Sequence, residues 1–153
     1  MPAIRIRSDI ERKRLHGLPR LQNTKTTIGS GLYSDANIEQ TYGVLAAFCK
    51  TGLNAGFNMI ADATFAKRHW RSQFIDLARS AGARPVIFEC SAPLETLKAR
   101  IRQRMAEDSD ESDADLEVLE YQLTHFEPLD PAERFLAASN ISSLLVEETQ
   151  ESI

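Results

Sequence analysis

Cysteine is scarce, long apolar runs are missing and there is no basic excess. Each absence removes a class of protein. Only Cys49 and Cys90 occur, one on an expected helix and one at an expected strand end, and neither stands in a C-x-x-C or Cys/His spacing. They are expected to be reduced, buried packing residues, not a disulfide or a metal site. His16, His69 and His125 are scattered, with no cluster of acids or cysteines at ligand spacing, so no metal centre is expected. No apolar stretch approaches the ~20 residues that cross a bilayer, and Met1–Arg7 has no signal-peptide core. The expectation is therefore a cytoplasmic chain with no membrane partner. A net charge of −4 also argues against a general nucleic-acid binder.

What is present suits one globular domain. The chain has 153 residues, 42% hydrophobic and 26% charged. Its charges are segregated. Between Arg5 and Lys25 seven basic residues face only Asp9 and Glu11, whereas Glu107 to Glu120 holds eight acids and no base. Such blocks suggest an anion-binding end and a solvated acidic face.

The periodicity alternates between strand and helix. Ala3–Arg7 sets Ile4 and Ile6 against Arg5 and Arg7, a period-2 strand. Ser8 can cap a short helix from Asp9, stopped by Gly17 and Pro19. Residues 17–34, rich in threonine and glycine, predict a long exposed loop of the kind that is more often functional or mobile than filler. Asp35–Ala55 predicts a helix with Ile38, Tyr42, Leu45, Cys49 and Leu53 on one face. A buried strand is expected over Phe57–Ala61, then a helix over Lys67–Ala81 that turns Trp70, Phe74, Leu77 and Ala81 inward. Pro85–Cys90 predicts a third strand. Pro93 opens a helix carrying Leu94, Leu97, Ile101 and Met105 inward. Ser112 is the expected cap of a further helix with Leu116, Leu119, Leu123 and Phe126 as its stripe. Pro131–Ser139 suggests a short helix and Ile141–Val146 a last strand. The whole predicts an α/β fold, three-layer, with a mostly parallel sheet of about four strands. The segment 105–127, acidic between helices, has the composition of a lid.

Ligands of parallel sheets collect at the carboxyl ends of the strands. Asp9 follows the first strand and Asp62 the second, with Thr64 two residues on. Each acid reads either as a helix cap or as part of a shared site. In the second reading Asp9 takes the proton of an attacking hydroxyl, and Asp62 holds a metal-bound water or orients substrate. Arg12, one turn beyond Asp9, would clamp an anionic substrate, while Lys13 and Arg14 are expected on a solvated helix face. Arg100 and Arg104 share a helix face at i, i+4. They would either offset phosphoryl charge or pair with Glu107 and Asp108.

The segments IRIRSDIERKRLHGL, IGSGLYSD, TYGVLAAFCKTGLNAGFNMIADATFAKRHWR and FECSAPLETLKARIRQR, followed by SDADLEVLEYQ and EPLD, occur in that order. Together they resemble the small P-loop kinase-like ATPase domains often found behind an aminoglycoside-phosphotransferase-like domain. These are similar in turn to the kinase half of polynucleotide kinase. The resemblance covers roughly residues 4–135. It implies ATP and Mg²⁺ as cofactors, Asp9 as catalytic base, Asp62 near substrate and metal, and Arg104 on the transferring phosphate. Arg12 takes a substrate-binding position; apart from the resemblance, Thr64 and Arg100 are further expected substrate-binding residues.

One departure shapes the expected function. Domains of this kind open with a strand and a G-x-x-x-x-G-K-[ST] loop ahead of the IRSD segment, and these 153 residues contain no such motif. Ile28-Gly29-Ser30-Gly31-Leu32 is a turn signal without the lysine. The resemblance places the missing strand between Phe57–Ala61 and Pro85–Cys90. Without it those strands are expected to pair directly or to associate with a second copy of the chain. The expected function is an incomplete phosphotransferase domain acting on a small molecule, nucleoside or nucleotide. The alternatives are a non-catalytic binding or oligomerisation module and a nucleic-acid contact through the basic amino-terminal region.

Overall fold

Alternating Ile and Arg do make a strand. In the computed structural model, which describes residues 3–20, 34–107, 115–134 and 136–138, Ala3–Arg7 is β1 and runs parallel to β2, Asn58–Asp62. The register sets Ile4 beside Met59, Ile6 beside Ala61 and Arg7 beside Asp62. Because side chains alternate across a sheet, Arg5, Arg7, Ile60 and Asp62 share one face and Met59 and Ala61 the other.

Helix α2, Asp35–Asn54, covers the Met59 face. Gly52 makes this contact close, since a Cβ there would lie 2.2 Å from Met59 Sδ. The helix starts where Ser34 Oγ accepts from Asn37 N–H, at 3.4 Å, a cap the sequence reading passed over. It stops at Gly56, whose φ of +82° suits glycine. Tyr42, Leu45 and Cys49 are buried as expected, together with Thr41 and Ala46. Helix α1, Ser8–Leu15, packs on α2, and so does α3, Arg68–Ser80.

The rest of the chain builds on a second ladder. Strand β3, Ile87–Phe88, pairs in parallel with β4, Ala137–Ala138. Between them in sequence lie α4, Leu94–Glu107, α5, Leu116–His125, and α6, Pro131–Arg134. The fold is α/β with parallel pairing throughout, as the periodicity predicts. Among the described residues the four parallel strands lie in two two-stranded ladders, β1-β2 and β3-β4. The second strand does not pair with the third among the described residues.

Several local expectations are corrected. Ser8 lies inside α1 and does not cap it; Arg7 occupies the cap position, and its side chain makes no capping hydrogen bond. The strand expected over Phe57–Ala61 is not buried: Phe57, just before β2, is 52% exposed and Ile60, within it, 37%. The physical reason is that α2 covers only one face and β1 only one edge. Cys90 is exposed, while Cys49 is buried and both are free thiols. Leu94, Leu123 and Phe126 point outward, and α5 buries Val118 and Leu119 instead. Asp115 caps α5 by accepting from Val118 N–H at 2.9 Å. The expected cap Ser112, most of the loop 17–34, part of the acidic segment and the strand Ile141–Val146 lie outside the described residues. No described helix is long and apolar enough to cross a membrane.

Candidate functional site

The β1–β2 register brings the carboxyl ends of two adjacent strands together, and Asp9, Asp62 and Thr64 all stand at that end. Neither acid is idle. Arg7 holds Asp9 from both sides, Nε donating to Oδ1 at 3.1 Å and Nη2 to Oδ2. Oδ1 also accepts from Ile10 N–H at 2.8 Å. Across the ladder, Arg5 Nε donates to Asp62 Oδ2 at 2.8 Å and Nη2 completes the pair. The Asp9 pair is largely enclosed, its side chains 22% and 14% exposed, whereas the Asp62 pair is open at 57% and 41%. Arg5 and Arg7 were missing from the sequence-based site. Their signal was the IRIR alternation, which puts both guanidinium groups on the face of Asp62.

The basic run on α1 divides differently from the expectation. Arg12 is half-buried, and its charge acts on the Tyr42 hydroxyl. Lys13, expected on a solvated face, is 1% exposed, with Nζ donating to the Arg20 carbonyl at 3.3 Å. Burial of its long stem leaves the ammonium in need of a polar partner, which that carbonyl provides. Arg14 is the surface residue of the three, over the Phe48 ring at 5.9 Å.

After Asp62 the chain turns through Phe65, which has φ of +45°. Its N–H donates to the Tyr42 hydroxyl at 3.0 Å and its carbonyl accepts from Arg71 Nη1 at 2.9 Å. Thr64 Oγ1 accepts from Gln122 Nε2 of α5 at 3.5 Å. Tyr42 stacks on Trp70, and Phe65 and Phe74 meet edge to face at 5.0 Å. Burial pushes the Tyr42 phenol up, against the Phe65 N–H and the Arg12 charge, which pull it down.

The strongest charged cluster was not anticipated. Arg71 and Glu133 are 5% and 4% exposed and form a bidentate pair, Nε to Oε1 at 2.7 Å and Nη2 to Oε2 at 3.0 Å. Around them a strap of residues 126–133 is tied to the start of α3. Glu127 Oε2 accepts from Arg68 N–H at 2.7 Å, Lys67 Nζ reaches Oε1 at 3.2 Å, and Glu127 N–H donates to the Ala66 carbonyl at 2.8 Å. Arg68 pairs with Asp130. Asp130 and Glu133 exchange bonds, each carboxylate accepting from the other's N–H, at 2.7 and 2.9 Å. All three carboxyls are held below their ordinary range: Glu127 by the Arg68 N–H, Asp130 by the Glu133 N–H and Glu133 by Arg71. The exchange between Asp130 and Glu133 is a capping box, legible as D-P-A-E with proline at the first helical position. The partner Arg71 gave no sequence signal, because it sits between inward Trp70 and Phe74 in a helix rich in charge.

Arg100 and Arg104, exposed and half-buried, stand on α4, which follows β3 in the other ladder. Glu107 and Asp108, their alternative partners, fall outside the described side chains. Among the described residues no three His, Cys, Asp or Glu side chains gather to hold a metal. Both strand-end acids are already engaged by arginines. With no G-x-x-x-x-G-K-[ST] in the sequence, these residues do not by themselves fit Mg·ATP.

Comparison with curated proteins finds no match. A family described as AAA domain, P-loop and kinase-like, matches residues 1–129. That span holds the β1–β2 ladder, both strand-end acids, their arginines, Arg71, all of α5 and the strap's start. The chain belongs to this AAA domain family, a family of nucleotide-binding, P-loop kinase-like domains.

Proposed function

We propose that the chain carries the substrate-side half of an ATP-dependent, kinase-like phosphotransferase site. The observation that carries this reading is the meeting of Asp9 and Asp62 at the carboxyl ends of paired parallel strands, each beside an arginine. An anionic substrate arriving there competes with the carboxylates for Arg5 and Arg7. Asp9, once released, accepts the proton of the attacking hydroxyl. Asp62 and Thr64 orient the substrate, Arg12 and Arg100 bind it, and Arg104 offsets the charge of the transferring group. No transfer step is complete within these residues, because each preorganised phosphate donor is worth roughly 2.7–4 kcal/mol and the loop that supplies several is not among them. Calorimetric titration of Mg·ATP tests this in the chain alone and in a chain extended by the in-frame upstream codons. The expected result is little or no binding alone, and binding once a strand with G-x-x-x-x-G-K-[ST] is supplied. Tight binding by the chain alone would remove the idea of a half-site; an extended chain that carries the motif and stays silent would remove the kinase reading.

The divided sheet supports a second reading, a non-catalytic association module. Strand β2 has one neighbour among the described residues, and its apolar Ile60 is exposed, as is Phe57 just before it. Edge strands are ordinarily protected by lysine, proline or a bulge, and Phe57–Ala61 has none of these residues. A second copy pairing there antiparallel about Ile60 would set Asp62 opposite Asn58 and Ile60 opposite Ile60, so no like charges meet. Light scattering on the chain and on Ile60→Lys decides it: a dimer that the lysine abolishes is expected, and a monomer at high concentration rejects it.

A further inference from the structure

We propose that Arg71 is a positioning residue for the strand-end site: its buried guanidinium fixes the turn that carries Asp62 and Thr64, and makes that turn depend on the strap of residues 126–133. The significance of the turn rests on the substrate-site reading above; the geometry stands without it.

Phe65 adopts φ of +45°, a region that side chains other than glycine rarely occupy. Something must hold it there, and both of its peptide groups are held. The N–H donates to Tyr42, itself 8% exposed and packed against Trp70. The carbonyl accepts from Arg71 Nη1, which also approaches the Ala66 carbonyl at 3.5 Å. The same guanidinium presents Nε and Nη2 to Glu133, Nη2 to the Pro128 carbonyl at 3.4 Å, and lies over the Phe126 ring at 5.9 Å. One planar group thus touches the turn, α6 and the strap. Gln122 adds a second tie, from α5 to Thr64. The turn keeps its strained backbone only while the strap stays seated.

Lysine in place of Arg71 separates positioning from plain stability. It keeps a charge for Glu133 but has no rigid fork to reach the Phe65 carbonyl at the same time. Trp70 is the only tryptophan in the chain. It stacks on Tyr42 with ring centroids 4.4 Å apart, so its emission reports on the ring whose hydroxyl receives Phe65 N–H.

The experiment is native-state amide exchange by NMR on the whole chain, with Trp70 fluorescence beside it. In Arg71→Lys the Phe65 amide is expected to lose protection at least ~10-fold relative to Leu45 and Met59, with shifted Thr64 and Gln122 resonances and altered Trp70 emission. Unchanged Phe65 exchange and emission would overturn the proposal, and so would an equal loss at every amide, which marks a merely structural role. Should Arg71→Lys fail to fold, the unaltered protein still decides. There the Phe65 amide and the Arg71 Nε proton are expected to open together, with protection within roughly threefold, and a hundredfold disparity would overturn the link. None of these readouts uses nucleotide or transfer. Failure of the phosphotransferase reading leaves them standing, and their failure leaves that reading untouched.

Discussion

Two arginine–carboxylate clusters sit about the same turn, and they are built oppositely. At the end of β1–β2, Arg5 and Asp62 meet in the open, 57% and 41% exposed. At the start of α3, Arg71 and Glu133 meet in the interior, 4% and 5% exposed by side chain. In water such a pair is worth little, because solvent and salt screen it and two long side chains lose freedom. In the interior a lone charge is costly, so each partner is required by the other, and the remaining donors of Arg71 are used on carbonyls. The open pair can be exchanged for a ligand. The closed pair can only be kept or broken. A site needs both kinds: charges free to move onto a substrate, on a turn that does not move.

The sharpest way to break the comparison is Glu133→Ala. It leaves the Arg71 guanidinium buried without its carboxylate, and removes half of the capping box with Asp130. The expected loss is about 3–5 kcal/mol, read from urea denaturation midpoints. A loss near zero would mean that water enters the cluster and that the interior pair behaves like the surface one. Tyr42→Phe comes next. It takes away the acceptor of the Phe65 N–H while keeping the ring stack on Trp70. An unsatisfied buried donor costs about 1–3 kcal/mol, and the Phe65 amide should lose exchange protection more than its neighbours.

Acid sharpens the comparison without mutation. Glu127, Asp130 and Glu133 all have folded-state pKa values below the ordinary ones, because they accept from Arg68 N–H, Glu133 N–H and Arg71. A depressed carboxylate favours the fold when ionised. Its contribution is complete above the unfolded value, about 4 to 4.5, and is lost as pH falls through the folded value. Thermal melts should therefore be flat near neutrality and fall steeply below about pH 4.5. Glu133→Gln should start less stable and fall less. An equal acid slope in that variant would show that the stabilisation lies elsewhere.

How much of this was legible beforehand differs between the clusters. The alternation of Ile and Arg in β1 and the strand-end position of Asp62 placed the open cluster's acid from sequence alone. Local period was enough, because the partners lie on neighbouring strands in register. Helices α2 and α3 were legible for the same reason, and Gly56 gave the end of α2. Arg71 and Glu133 are 62 residues apart, and nothing local tells a buried arginine from a surface one. Lys13 failed likewise: its run of charges reads as solvated, whereas the folded chain buries it and turns Nζ to the Arg20 carbonyl. Phe57 and Ile60 were misjudged because burial of a strand depends on its neighbours, which its own sequence does not contain.

The smallest effect is expected at the partner of Asp62, the strand-end acid that the sequence pointed to directly. Arg5→Ala removes the open pair and leaves Asp62 exposed to water, which solvates it at no great cost. The ladder should lose only about 0–1 kcal/mol by urea denaturation, and less at high salt, where the pair is screened further. The β1–β2 pairing does not depend on it, because the backbone register and the Met59 contact with α2 hold both strands. A loss as large as that of Glu133→Ala would show that Arg5 is structural and not available to a substrate anion. A negligible loss leaves the guanidinium and the carboxylate free to part, which is what an exchangeable pair at a strand end requires.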